Sequence, residues 1–210
     1  EGVLYVATGG ASESYGYQSN RDGFYTFDRV RWTTYNQFNT PEIEASGLLN
    51  FFRILPHPVE DIIYVGSYWG GLLKYDGEPY TVFDTSNSSL QGAVGDAQRV
   101  RIAGLAFDED NNLWVTNYLA GEPLSVLKAD GTWKSFPLPC SNITNTAQVV
   151  VDRRGYKWIM LYSKAASLIV FDDGGTIDDE SDDRCVQLSA SNTAIPSNSV
   201  NCLAVDVEGD

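Results

Sequence analysis

An aromatic residue set in an apolar, strand-like segment recurs four times along this chain, and this repeat limits the possible folds more than any other feature. The four aromatic residues are separated by 59, 50 and 44 residues. Three further strand-like segments follow each of them before the next copy begins. Four strands in a repeat of roughly 40–50 residues are the signature of a β-propeller, in which each repeat forms one blade. The four aromatic residues, which we expect to pack between blades, are Tyr5, Tyr64, Trp114 and Trp158.

The segments between the turns are rich in β-branched and aromatic residues, whereas Gly, Asp, Asn and Pro fill the gaps. The sequence therefore predicts an all-β chain, with one short helix over 42–49. In chain order the predicted strands are 4–6, 24–28, 32–35, 50–55, 63–65, 72–76, 80–83, 102–107, 113–115, 124–128, 132–136, 147–151, 157–159, 168–172, 185–188 and 201–206.

We interpret residues 1–210 as a single β-propeller region with about four blade equivalents. If 102–107 is the innermost strand of its blade, the chain begins at the second strand of one blade and ends after an innermost strand. Such a chain could close as a four-bladed ring, but we expect a fragment of a larger propeller, cut from a longer chain. The blade-like repeats lie near 1–35, 50–83, 102–136 and 147–188, with a last strand at 201–206.

Two of the aromatic strands follow a turn that begins with an aspartate. Asp108 and Asp152 each stand six residues before the Trp of the strand that follows. An aspartate at the first position of a turn can accept hydrogen bonds from the amides just ahead of it, and Gly155 can adopt the positive φ of a tight hairpin. The Asp-Gly pairs at 76–77 and 130–131 predict hairpin turns of the same kind.

The charge of the chain excludes several classes of partner. The formal net charge is −14. A chain with this charge repels phosphate backbones, so we expect no nucleic-acid binding and no docking on an anionic membrane surface. No apolar run approaches the length of a membrane-spanning helix.

The residues that usually carry catalysis or bind transition metals are scarce. The single histidine, His57, stands between two prolines and is interpreted as a loop residue. Cys140, Cys185 and Cys202 have no metal-ligand spacing; one pair could form a disulfide in an oxidising compartment, and the sequence leaves the pairing open. Because nucleotide-binding motifs and the nucleophile elbow are also absent, we expect a protein that is not an enzyme.

Two stretches resemble a known family. Residues 63–67 (Ile-Tyr-Val-Gly-Ser) and 70–76 (Gly-Gly-Leu-Leu-Lys-Tyr-Asp) resemble the repeat of two-component-regulator propellers. Residues 171–184 and 195–206 are similar to the propellers of the PorZ-type proteins of the Bacteroidetes type IX secretion system.

The resemblance implies an exported, non-enzymatic binding or scaffold propeller at the cell surface or in the periplasm. Its expected partners are a sortase of the secretion machinery, a lipopolysaccharide glycan, or both. The alternative that the resemblance leaves open is the periplasmic, oligosaccharide-sensing propeller of a hybrid two-component receptor.

An acidic run forms the first candidate site. Residues 172–183 include seven acids. Calcium takes about six to eight oxygen ligands and tolerates irregular acidic loops, although the spacing here does not match an EF-hand. The alternative is a solvated acidic loop, and no other cofactor is expected. The candidate calcium ligands are Asp172, Asp173, Asp178, Asp179, Asp182 and Asp183.

Aromatic residues in loops form the second candidate site. Strands in a blade alternate in direction, so the loops after every second strand emerge on one face of a propeller. Aromatic side chains clustered on such a face can stack on sugars and offer a polar group to their hydroxyls. The alternative is that each ring packs over the end of a blade. The candidate ligand-binding residues are Tyr15, Tyr17, Tyr68, Trp69, Tyr118 and Tyr162.

Overall fold

The structure, a computed structural model, describes residues 2–12, 16–76, 80–162 and 167–206. Within these residues it contains fifteen strands and one short helix, α1 (Pro41–Ser46). The strands are β1 (Leu4–Ala7), β2 (Phe24–Phe27), β3 (Trp32–Tyr35), β4 (Phe51–Pro56), β5 (Ile63–Ser67), β6 (Gly71–Tyr75), β7 (Thr81–Phe83), β8 (Ile102–Phe107), β9 (Leu113–Asn117), β10 (Leu124–Leu127), β11 (Trp133–Phe136), β12 (Thr146–Val151), β13 (Lys157–Leu161), β14 (Leu168–Asp172) and β15 (Arg184–Leu188).

The strands form four antiparallel sheets in which neighbours in the chain pair with each other. Sheet 1 contains β1–β3, sheet 2 contains β4–β7, sheet 3 contains β8–β11 and sheet 4 contains β12–β15. A four-stranded sheet of this up-and-down form is the blade of a propeller. The predicted all-β fold with four-stranded repeats is therefore confirmed, although sheet 1 has three strands within the described residues.

The chain divides into two compact units, Glu1–Ile102 and Ala103–Asp210, with the boundary at the start of β8. In the first unit, β1 of sheet 1 lies against β4 of sheet 2. In the second unit, β9 of sheet 3 lies against β12 of sheet 4. Each unit is thus a pair of packed sheets.

Each unit has its own aromatic core between its two sheets. In the first unit, Phe24 stacks on Tyr35 with ring centroids 4.8 Å apart and meets Phe51 edge-on. In the second unit, the fully buried Trp114 contacts Phe136, which in turn lies 5.0 Å from Phe171. Tyr5 packs against the first cluster and Trp114 lies within the second, as expected for aromatic residues that pack between blades.

A glycine allows the close approach of sheets 3 and 4. A Cβ on Gly104 of β8 would lie 2.6 Å from the carbonyl oxygen of Ala147 in β12. The hydroxyl of Thr116 in β9 also donates to this carbonyl. Any side chain at 104 would therefore push the two sheets apart.

The predicted aspartate turn forms at both positions. The Asp152 carboxylate accepts hydrogen bonds from the amides of Arg154 and Tyr156, each at 2.9 Å, and Gly155 has a φ of 82°. Asp108 accepts the amides of Asp110 and Asn112 in the same way. At the 130–131 turn Gly131 has a φ of 86°. The glycine of the 76–77 turn lies outside the described residues.

In three of the four sheets, an asparagine fixes the turn that follows the last strand of the sheet. Asn39, Asn87 and Asn192 each donate from the side-chain amide to the carbonyl five residues earlier, at 2.8–2.9 Å. Each also accepts the amide three residues earlier through its side-chain oxygen. The repeat thus extends beyond the strands into the loops that leave sheets 1, 2 and 4.

The helix is shorter than the predicted 42–49. It begins with Pro41 and ends at Ser46, because Gly47 adopts the left-handed conformation (φ 67°) and its amide returns to the carbonyl of Glu44. Such a glycine stops a helix efficiently.

The prediction of a last strand at 201–206 is wrong. These residues form no strand, because no described strand pairs with them through backbone hydrogen bonds. The side chain of Gln148 takes the place of a strand partner. Its Nε2 donates to the Leu203 carbonyl at 2.7 Å, and its Oε1 accepts from the Leu203 backbone N–H at 3.0 Å.

One disulfide joins Cys140, after β11, to Cys185 in β15, with Cα atoms 5.4 Å apart. Cys202 is exposed and free. In the described part of the chain no helix has the length and apolar composition needed to cross a bilayer.

Candidate functional site

The structure separates the six predicted aromatic residues into buried and accessible ones. Tyr68 is fully buried and Tyr118 is 5% exposed. Tyr17 and Trp69 are half-buried and Tyr162 is 37% exposed. Tyr15 lies outside the described residues. Tyr17, Tyr68 and Trp69 belong to the first unit, and Tyr118 and Tyr162 to the second.

Tyr68 and Trp69 follow β5 and point to different environments. The ring of Tyr68 packs 5.2 Å from that of Phe52, and its amide donates to the Asn50 carbonyl. Trp69 stands in a tight turn in which the hydroxyl of Ser67 accepts the amides of Trp69 and Gly70, each at 3.1 Å. The turn therefore sends Tyr68 into the interior and leaves Trp69 near the surface.

Tyr17, Trp69 and Arg99 form a three-layer arrangement that we name the Trp69 stack. The rings of Tyr17 and Trp69 are 4.0 Å apart, and the Arg99 guanidinium carbon lies 3.4 Å from the Trp69 ring centre. Two groups this close to one ring would overlap if they shared a face, so they cover opposite faces. Neither face of the indole is left for a sugar to stack on.

Tyr162 borders a groove of about 460 Å³ in the second unit. The groove lies where β13 ends and β12 begins: the Tyr162 amide donates to the Asn145 carbonyl at 2.8 Å, and the Asn145 amide group donates back to the Tyr162 carbonyl at 3.3 Å. Among the residues that the structure describes, no charged side chain lines the groove. The lining residues are Asn145, Leu161, Tyr162, Asn198, Ser199, Val200 and Asn201.

The far wall of this groove is held by a polar network. The Ser167 hydroxyl bonds the Ser197 carbonyl at 3.2 Å and the Asn198 side-chain oxygen at 3.1 Å. That oxygen also accepts the Ala190 amide at 2.8 Å. The sequence reasoning named Tyr162 but missed the asparagines; their signal is the Ser-Asn-Ser-Val-Asn run at 197–201.

Acidic residues at 172–183 pair with lysines and do not converge on a shared point where a metal ion could sit. Lys128 pairs with Asp178 at 3.1 Å and Lys134 pairs with Glu180 at 3.2 Å. Three further carboxylates bond within the loop: Asp172 accepts the Gly174 amide, Asp179 the Ser181 amide and Asp182 the Thr176 hydroxyl. Within the described residues no three His, Cys, Asp or Glu side chains are grouped as a metal ion requires.

Of the carboxylates in this run, Asp173 is buried and Asp183 is half-buried. Asp173 pairs with Lys157 at 2.8 Å, and their side chains are 8% and 2% exposed. The Lys157 ammonium also lies 4.0 Å from the ring centre of Trp114, a cation–π contact. Burial raises the pKa of Asp183, although Lys134 opposes the shift.

His57 has a local role in its turn. Its Nδ1 accepts the amides of Glu60 at 2.9 Å and Val59 at 3.2 Å. This geometry agrees with its interpretation as a loop residue.

Comparison with known proteins identifies the fold. No family model and no curated protein matches the chain. Among solved structures, the chain is similar to PorZ, an essential surface component of the type IX secretion system of Porphyromonas gingivalis, with a TM-score of 0.80 and 23% identity over 99% of this chain and 29% of that one. It is also similar to the extracellular domain of a hybrid two-component system from B. thetaiotaomicron, with a TM-score of 0.62 and 14% identity over 99% and 25%.

A third similar structure is a streptogramin B lyase, with a TM-score of 0.55 and 14% identity over 83% of this chain and 57% of that one. The chain spans less than a third of the first two proteins. At these identities the likeness concerns the fold, and it confirms the predicted propeller type. The first two neighbours are surface or extracellular proteins.

Proposed function

We propose that this chain is a binding propeller of a Bacteroidetes cell-surface apparatus, without enzymatic activity, and that it recognises saccharide in the Tyr162 groove. The groove carries the proposal: a partly exposed tyrosine stands among amide and hydroxyl groups, and none of the described lining residues is charged. Aromatic rings pack on the C–H faces of sugars, and amides exchange hydrogen bonds with their hydroxyls. A neutral, hydroxyl-rich ligand fits this lining better than an ion.

The cellular role that we propose is in type IX secretion, together with a protein partner such as a sortase, a lipopolysaccharide glycan, or both. The likeness to PorZ supports this role. The disulfide supports export, because such bonds persist in oxidising compartments.

The second candidate is an oligosaccharide-sensing propeller of a hybrid two-component receptor. The likeness to the B. thetaiotaomicron domain over 99% of the chain favours it. The two candidates share a saccharide site and differ in the partner. Affinity purification from the native cell envelope separates them: co-purified attachment machinery supports the first, and a histidine kinase domain in the same polypeptide supports the second.

The saccharide site is tested with surface oligosaccharides released from the native cell. We expect calorimetry to detect binding to the wild-type chain and a loss of at least tenfold in affinity for Tyr162→Ala, within the roughly 1–3 kcal/mol scale of a stacked ring and its lost contacts. Tyr156→Ala, which removes a half-buried ring outside the groove lining, is the matched control. Equal binding by both variants would show that the groove is not the site.

A further inference from the structure

Within the described residues, Arg99 of the Trp69 stack lacks the partners that a half-buried arginine normally has. Its Nε is buried without a hydrogen-bond partner, and its Nη1 reaches the Gln98 carbonyl only at 3.5 Å. No ion pair among the described residues involves Arg99. Arg21, Arg31 and Arg154 also have no ion pair with a described residue, but they are exposed to water, whereas Arg99 is half-buried and its Nε is fully buried; it is this burial that calls for a physical reason.

The neighbouring Arg101 differs from Arg99 in that it pairs with a carboxylate. Its Nη2 pairs with Asp96 at 3.3 Å, and its guanidinium carbon lies 5.9 Å from the Tyr68 ring centre. Both arginines therefore lie near an aromatic ring, but of the two only Arg101 pairs with a carboxylate of a described residue. Asp96 is close in the chain to both, yet it offers Arg99 only its backbone carbonyl, which accepts the Arg99 amide at 2.9 Å.

The backbone on both sides of the stack is fixed. The Arg99 carbonyl accepts the Ala93 amide at 2.9 Å, and Val100 forms a parallel bridge with Gly70, the residue after Trp69. Arg99 and Trp69 are thus carried by two segments that bond to each other. The guanidinium is held against the ring before any ligand arrives, and this lowers the entropy cost of binding.

A guanidinium that lies flat on an indole keeps its N–H groups in its own plane, where they point away from the ring and form a fork. This fork matches the two oxygens of a carboxylate or phosphate, and the aromatic contact leaves the donors unused. We propose that the Trp69 stack is an oxyanion site, which binds the carboxylate or phosphate group of an acidic ligand through Arg99. The site goes beyond the proposed saccharide groove, whose described lining residues carry no charge.

The test uses the whole chain and four probes: glucuronate, glucose 6-phosphate, inorganic phosphate and glucose. We expect binding of at least one of the three anions in calorimetry, together with a shift of the Arg99 side-chain Nε–H signal in nitrogen-edited NMR spectra, and no response to glucose. Binding of glucuronate alone identifies a carboxylate site, and binding of both phosphates identifies a phosphate site. No binding of any anion overturns the proposal.

Variants of Arg99 separate the contribution of its forked N–H donors from the contribution of its positive charge. Arg99→Gln should weaken anion binding at least tenfold, and Arg99→Lys, which keeps the charge but loses the fork, should weaken it several-fold. Arg31→Gln removes the same charge from an exposed position of the same unit and should bind as the wild type does. Equal weakening by Arg31→Gln would reduce the effect to net charge and overturn the proposal.

If an Arg99 variant fails to fold, the shift of the Arg99 Nε–H signal on addition of an anion to the wild-type chain still tests the proposal, because this measurement needs no substitution. Tyr162→Ala should leave anion binding unchanged. Failure of the saccharide groove and failure of the oxyanion site are therefore distinguishable.

Discussion

The indole N–H of Trp114 donates to the carboxylate of Asp108 across 2.9 Å, and Trp158 makes the same 2.9 Å bond to Asp152. One oxygen of each aspartate orders the turn through backbone amides, while the other holds the tryptophan of the next strand. The spacing of six residues therefore couples a hairpin turn to the tryptophan ring of the strand that follows. Trp114 is fully buried and Trp158 is half-buried.

Replacement of Asp108 by alanine should lower the free energy of unfolding by about 2–3 kcal/mol, because charge-assisted bonds to an indole and to turn amides are lost together. Asp152→Ala should cost less, since Trp158 is more exposed to water. Urea denaturation measures both. Asp110→Ala, on the same turn but exposed, is the control; an equal loss in that variant would contradict this explanation.

The Cys140–Cys185 disulfide closes a separation of 45 residues. Its removal by Cys140→Ser should destabilise the chain by about 2–4 kcal/mol, mainly because the unfolded chain gains freedom. Thiol titration of the native protein should find one reactive group, Cys202. Three reactive thiols without reductant would contradict the bond.

The buried Lys157–Asp173 pair should be costly to break from one side. Asp173→Asn leaves a buried ammonium without its counter-charge, and we expect a loss of about 3–5 kcal/mol. The double variant Lys157→Met/Asp173→Leu should recover much of this loss, because no uncompensated charge remains. A double variant as unstable as the single one would show that packing, rather than charge, dominates there.

Acid should weaken the turns that aspartates organise. The hydroxyl and amide of Thr132 donate to Asp130 and lower its pKa, and the Arg31 and Val30 amides lower the pKa of Asp28. Because each folded pKa lies below the unfolded one, the unfolded chain binds more protons as the pH falls from the ordinary carboxyl range through the folded pKa. The free energy of unfolding should therefore fall over that window. Urea midpoints at about pH 3 and pH 6 should differ less in Asp130→Asn than in the wild type.

Calcium should bind the acidic run at 172–183 no more tightly than the millimolar range, because lysines and loop donors already occupy most of its carboxylates. Calorimetry with calcium chloride on the whole chain measures this. A micromolar affinity that Asp182→Asn abolishes would contradict this expectation and support a calcium site in this loop.

Prediction from the sequence succeeded where the information is local. The strand pattern and the aspartate turns follow from residue types at short spacing, so β8 and β14 have the predicted bounds. It failed at 201–206 because a strand needs a partner, and a partner is not a local property. Among the candidate site residues, the sequence predicted Tyr162 from its position in a loop after a strand. It did not predict Arg99, because no sequence motif marks that residue.

The sequence by itself determined the repeat, the all-β class and the acidic character, because strand propensity, turn chemistry and charge reside in individual residues and their short-range order. Only the tertiary structure decided which cysteines pair, which loop aromatics are buried and that Arg99 covers Trp69. Those outcomes depend on distances between residues far apart in the chain. Packing fixes these distances, and it turned Tyr68 into a core residue while leaving Tyr162 beside an open groove.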